Sequence, residues 1–234
     1  MICLIVINNG RLRAAIKAVI PFAAVPAVAA VGSVADGGRR YTAAILAAAV
    51  LALLLFAAGY EKRQTGSRRL VIAAVMTALC VAGRFIPFFK PVTALTVITA
   101  MYLGSETGFL IGAMSAALSN IYFGQGPWTP FQMLAWGLVG LAAGYLSGPL
   151  KRSRAFLLFY GVFSGIAFSF IMDIWTVLWY SGSFNAKLYT AAIISALPHT
   201  TLYAVSNFLF LWFLADPIGQ KLERVRIKYG IWGD

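Results

Sequence analysis

The chain has 234 residues, 61% of them hydrophobic and 11% charged, with 19 Lys and Arg against 7 Asp and Glu. Mean hydropathy is +0.82, and a soluble domain of this size cannot bury that much apolar surface. The composition therefore excludes a cytosolic enzyme, a nucleic-acid-binding domain and a secreted disulfide scaffold, and points to an all-α integral membrane protein.

Eight apolar segments follow one another at about 14–33, 41–60, 69–89, 91–104, 106–122, 128–148, 155–182 and 188–214. Most reach the roughly 20 residues that a membrane helix needs. They are built from Ala, Leu, Val, Ile, Phe and Gly without strand-like alternation, which disfavours a β-barrel. Arg11, Arg13 and Lys17 precede the first run, which ends in Ser33-Val34-Ala35. That pattern is compatible with a signal peptide, but the run is long for one and another helix follows closely, so it reads as a spanning helix.

The first two segments carry almost no polar residue and form an accessory N-terminal hairpin, 1–60. A basic linker, 61–68, then leads into a six-helix core, 69–214, that holds nearly all the intramembrane polar residues. Within the core, Gly104-Ser-Glu-Thr-Gly108 splits 91–122 into two pieces of only about 21–25 Å, shorter than a hydrocarbon core of about 30 Å. Such interrupted helices line sites inside transporter bundles. The basic tail, 215–234, follows Asp216-Pro217 and is expected to leave the bilayer as a short surface helix. With eight crossings and a cytoplasmic N-terminus, 14 of the 19 basic residues face the cytoplasm, including Lys62, Arg68, Arg69, Lys151, Arg152 and Arg154. The positive-inside rule thus puts both termini inside. Cys3 and Cys80 lie in apolar runs without a C-x-x-C or Cys/His cluster, so no metal site is expected. No G-x-x-x-x-G-K-[ST] motif is present, so the chain does not hydrolyse ATP by a P-loop.

Several constellations carry possible chemistry. Ala74, Ala78 and Ala82 recur at four-residue spacing on the first core helix, a smooth ridge suited to close helix approach in lipid. That ridge serves either packing within the chain or docking of another one. Arg84 and Asp173 fall in the outer part of the bilayer, about 22 and 28 Å from the basic inner boundaries. Isolated charges there pair with each other or face a wet cavity. Trp128, Gln132 and Trp136 share a helical face, just after the tight loop that runs from Asn120 through Gln125 to Thr129 and Pro130. Amides and indoles at such a loop suit a flat ligand with a polar edge, and Trp128 equally suits an interfacial aromatic belt. Ser195, His199, Tyr203 and Ser206/Asn207 form a polar stripe, as do Asp173, Thr176 and Tyr180 on the preceding helix. Two such stripes imply an internal cavity. Gly161-Val-Phe-Ser164-Gly165 with His199 is similar to the Ser/His dyad of rhomboid proteases, but Val162 departs from that pattern and small residues within a helix explain the run better.

The six core helices, the alanine ridge and Lys90-Pro-Val-Thr-Ala94 together resemble the substrate-binding (S) component of energy-coupling factor (ECF) vitamin transporters. Gly112-Ala-Met-Ser-Ala-Ala-Leu-Ser-Asn120 and Phe123-Gly-Gln-Gly-Pro-Trp-Thr-Pro-Phe-Gln-Met133, continued by Ala135-Trp136-Gly137, add to the resemblance, and the last of these looks like the cobalamin and corrinoid subgroup. The resemblance implies a non-enzymatic subunit of the cell membrane of a prokaryote that binds a vitamin at its outer face, without a cofactor of its own, the ligand being cobalamin or a relative. Arg84, Asn120, Gln125, Trp128, Thr129, Gln132, Trp136, Asp173 and Tyr180 are its expected binding residues, with Lys90 beside them. It further implies docking through Ala74, Ala78 and Ala82 on a membrane coupling subunit that carries two ATPases. The alternatives are an S component for another small vitamin or a nucleobase-like precursor, a self-sufficient transporter relaying protons through Asp173 and His199, and a purely structural membrane subunit.

Overall fold

A computed structural model of the chain describes residues 9–34, 38–59, 63–88 and 90–230. Cys3, Ala35 and Lys62, on which parts of the sequence reading rest, lie outside them. Among the described residues the chain is nearly all helical, with no strand. The expected lack of strand alternation thus holds, as it must where backbone polar groups in lipid have to be satisfied within their own segment.

The first column is α1 (Gly10–Val19), a single π-helical turn (Ile20–Ala24) and α2 (Val25–Val34). The Asn9 side chain caps α1 by accepting from the N–H groups of Arg11 and Leu12. Pro21 and Pro26 withhold two backbone donors around the wide turn, which accommodates the gap without ending the helix. There follow α3 (Gly38–Ala58), α4 (Arg63–Gly83), α5 (Val92–Leu103), α6 (Ser105–Phe123), α7 (Thr129–Tyr145), the short α8 (Ser147–Arg152), α9 (Arg154–Ser181) and α10 (Ala186–Lys228). By length and hydropathy, Gly10–Gly32, Arg154–Ser181 and Ala186–Lys228 can cross a membrane. The break expected in 91–122 falls at Gly104, whose φ of 95° lies in the left-handed region and whose lack of Cβ makes it tolerable. It leaves α5 with 12 residues, about 18 Å of helix.

Small residues set the central packing. A Cβ on Gly108 would lie 2.6 Å from the Gly140 carbonyl oxygen, and one on Gly112 would lie 2.3 Å from that of Trp136. So α6 and α7 cross backbone to backbone, the arrangement through which helices associate in lipid. Gly161 and Gly165 do the same for α9 against α10, beside Leu211 and Ala204. This close approach accounts for the run around Ser164 as packing.

Both ends of the chain are held against the bundle. The N-terminal hairpin is built into the bundle: α3 packs on α6, and α2 on α3, α7 and α9. Ala48, Ala52, Leu55 and Phe56 are buried in one core with Phe109 and Trp136. Polar ties reinforce it, with Lys17 Nζ 2.7 Å from Glu106 Oε1, and the buried Arg69 guanidinium donating to the carbonyls of Gly59 and Leu103 at 3.2 and 2.6 Å and to Thr107 Oγ1 at 2.7 Å. The tail forms no separate surface helix. α10 runs for 43 residues through Pro198 and Pro217, because its C-terminal third is held against protein. Leu222 is buried among core residues of α5 and α9, and Gly219 sits where a Cβ would touch the Tyr102 ring.

Candidate functional site

The site begins where α4 ends. Gly83 sits so close to Pro91 that a Cβ would lie 2.4 Å from the proline Cγ. The chain therefore doubles back through Arg84 and enters α5 after Pro91. This turn aims Arg84 at the last two turns of α6, where its Nη1 donates to Ser119 Oγ and, at 2.7 Å, to Asn120 Oδ1. Its guanidinium also lies 4.8 Å from the Phe123 ring centre and 5.3 Å from that of Trp136, a cation–π environment that offsets part of its desolvation.

Asn120 uses both ends of its amide. Its Nδ2 donates to Thr129 Oγ1 at 2.9 Å and to Gln132 Oε1 at 2.7 Å. Gln125 Nε2 donates to the Ala117 carbonyl at 2.7 Å, and the Gly126 N–H to Thr129 Oγ1 at 3.3 Å. The loop 124–128 is thus pinned to the end of α6. Lys90 closes the ring: its Nζ donates to the Arg84 carbonyl at 3.0 Å, and its backbone N–H to Ser206 Oγ of α10 at 2.9 Å.

From Trp136 an aromatic column crosses the bundle. Trp136 stacks on Phe168 and Phe168 on Tyr203, both at 5.0 Å, and Tyr203 on His199 at 5.2 Å. The first three rings are buried and His199 is exposed. Beside this column Trp128 meets Trp175 edge-on at 5.9 Å, and Trp175 stacks on Trp179. Arg84 Nε, Gln125 Oε1, Asp173 Oδ2 and Trp175 Nε1 are buried and have no hydrogen-bond partner among the described residues. Donors and acceptors left open in so apolar a setting suit a ligand with a polar edge.

Of the expected binding residues, the structure gathers Arg84, Asn120, Thr129, Gln132 and Trp136 into one network, with Gln125 and Trp128 on its rim. Asp173 is buried on α9 near Trp175 and forms no ion pair with Arg84 among the described residues, because Ser119 and Asn120 lie nearer. Tyr180 is not brought in: its side chain is 75% exposed, where α9 runs past the end of the bundle. The two polar stripes are only partly covered by protein. The residues of α10 become buried only from Thr200 inward, so Ser195 and His199 lie outside. Between α9 and α10 there is instead an apolar cavity of about 500 Å³ lined by residues such as Val162, Phe170 and Leu197. No hydrogen bond or ion pair joins Asp173 to His199 among the described residues. Ala74, Ala78 and Ala82 lie on the exposed face of α4 with Val71, Val75 and Leu79, whereas Ala73, Met76, Thr77 and Cys80 face inward.

Ser119, Phe168 and Trp175 belong to the site although the sequence reading did not select them. Ser119 and Trp175 were within reach, next to Asn120 and two residues from Asp173. Phe168 carried no signal, being one phenylalanine in a helix rich in them.

A model of the family described as ECF-type riboflavin transporter, S component, matches residues 65–216. A UPF0397 protein of Clostridium perfringens (strain SM101 / Type A) is 27% identical over 188 residues, which cover 73% of this chain and 96% of the relative. No solved structure matches. Neither match supports the corrinoid subgroup. The family match takes in α4 almost from its start and reaches Asp216 in α10, and so includes the whole polar network; the chain belongs to the family of ECF-type riboflavin transporter S components, membrane-embedded transport subunits that work with an ECF transporter module and a small-molecule vitamin.

Proposed function

We propose that this chain captures a flat, vitamin-sized ligand at the outer end of the bundle, with riboflavin the first candidate, and passes it inward on an ATP-driven coupling module. The observation that carries this reading is the Arg84–Asn120–Gln132 network beside stacked aromatics, with Arg84 Nε, Asp173 Oδ2 and Trp175 Nε1 unspent. A planar heteroaromatic ring with carbonyl and N–H edges matches such a surface. A corrinoid is a poorer fit, since Asn120, Thr129 and Trp136 are already closed in by protein and leave no broad face for a large macrocycle. In this reading Gln125, Trp128 and Gln132 meet the ligand directly, while Asn120 and Thr129 hold them in place. The exposed alanine face of α4 docks on the coupling subunit, two ATPases supply the energy, and both termini are cytoplasmic.

Riboflavin fluorescence is quenched when the ring stacks on indole, so titrating purified chain into riboflavin reads binding directly, and calorimetry with cobalamin and cobinamide provides the comparison. Submicromolar riboflavin binding is expected, weakened at least tenfold, about 1.4 kcal/mol, by Trp128→Ala or Gln132→Ala. Tight cobalamin binding without riboflavin binding would replace the ligand. Absence of binding by any vitamin tested would reject the site.

A further inference from the structure

At the opposite, basic end of the bundle lies a polar cavity of about 310 Å³, lined among others by Lys17, Tyr102, Ser105, Glu106, Lys151 and Arg226. Three elements far apart in sequence bring three cations there: Lys17 from α1, Lys151 from α8 and Arg226 from the inner extension of α10. Among these lining residues Glu106 is the one carboxylate, and Lys17 engages it. Arg226 Nη2 is 2.9 Å from Glu223 Oε1, and Lys151 Nζ lies 4.2 Å from the centre of the Tyr102 ring rather than against a carboxylate. The floor is the break between α5 and α6, where Gly104 precedes α6 and no side chain caps the helix, so its first N–H groups add positive potential. Burial first, and then the nearby Arg226, hold the Lys151 ammonium below the usual lysine range, with Glu223 acting in the opposite direction.

We propose that this cavity is an anion site that takes a phosphate group, from either an anionic lipid headgroup or a soluble phosphate compound. With Glu106 engaging Lys17 and Glu223 engaging Arg226, Lys151 is the cation left without a carboxylate among the described residues, and a bound phosphate offsets its charge while accepting hydrogen bonds from Lys151 and Arg226. The site sits at the end of the bundle where the basic loops cluster, at the level of the inner headgroups. It is separate from the outer network and does not depend on which vitamin is carried.

The test uses the full chain purified in detergent. Native mass spectrometry compares retained phosphatidylglycerol with retained phosphatidylcholine, whose choline opposes the cationic lining. Thermal unfolding is followed in parallel with inorganic phosphate. For a lipid site, phosphatidylglycerol is retained over phosphatidylcholine, and the double variant Lys151→Gln/Arg226→Gln loses at least tenfold of that retention. Lys151→Arg/Arg226→Lys keeps it, which separates charge from folding. If the two lipids are retained alike but phosphate raises the unfolding temperature of the native chain and not of the glutamine variant, the site stands and its source is soluble. The proposal is overturned if neither ligand distinguishes native chain from variant. It is equally overturned if Lys221→Gln/Arg224→Gln, on the exposed face of the same helix, reduces retention as much.

Discussion

Asn120 is the hub of the Arg84 network, and its removal has a calculable effect. In Asn120→Ala three hydrogen bonds are lost: one from the Arg84 guanidinium at 2.7 Å and two from Nδ2 at 2.9 and 2.7 Å. A bond to a charged group contributes about 1.5–3 kcal/mol and a neutral one about 0.5–1.5 kcal/mol. Interhelical bonds in membranes average nearer 0.6 kcal/mol. The sum therefore runs from about 2 to about 6 kcal/mol, and relief of the buried amide's own desolvation pulls it toward the lower half. About 3 kcal/mol is expected, which for a chain of this size corresponds to a fall of about 6–12 °C in unfolding temperature. The informative measurement is a double-mutant cycle with Arg84→Gln, read by thermal unfolding in detergent. Residues in one network couple by about 0.5–3 kcal/mol, and a charged donor belongs in the upper half of that range. Simple additivity of Arg84→Gln and Asn120→Ala would refute the reasoning, since Arg84 would then draw its stabilisation from Ser119 and the rings alone.

Other consequences follow from the packing. Gly108→Val drives side-chain atoms into the Gly140 carbonyl and is expected to prevent accumulation of folded protein in membranes, whereas Gly148→Ala, with nothing within 4 Å of its Cβ position, is expected to leave yield and unfolding temperature unchanged. Ala74→Trp and Ala78→Trp add bulk to an exposed face; uptake by cells carrying the coupling module should fall while ligand binding by the purified chain survives, and equal loss of both would place the ridge in internal packing. Cysteine probes at Asn185 and Ser153 are expected to label from opposite sides of the membrane, outside and inside respectively; labelling from one side would refute the topology.

The sequence by itself determined those features that depend on local spacing. Composition fixed the membrane setting and the absence of strands. Gly104-Ser-Glu-Thr-Gly108 marked the break between α5 and α6, because glycine tolerates the left-handed backbone that a helix break needs. Gln125, Trp128, Thr129, Gln132 and Trp136 were readable as neighbours of Asn120, since a tight loop and one helical face hold them near it whatever the rest of the bundle does. The tertiary structure decided everything that depends on which helix lies against which. It packed α3 against the core through Ala48, Ala52 and Phe56, carried α10 past Pro217 to bring Arg226 to the basic cavity, gave Arg84 neutral partners instead of Asp173, and left Tyr180 and His199 outside. In water, hydropathy alone would have sorted covered faces from open ones. In lipid an apolar face is equally at home against a neighbouring helix or an acyl chain, so the exposed Ala74–Ala82 ridge and the buried Ala48–Ala52 face read alike in sequence, and only backbone packing separates them.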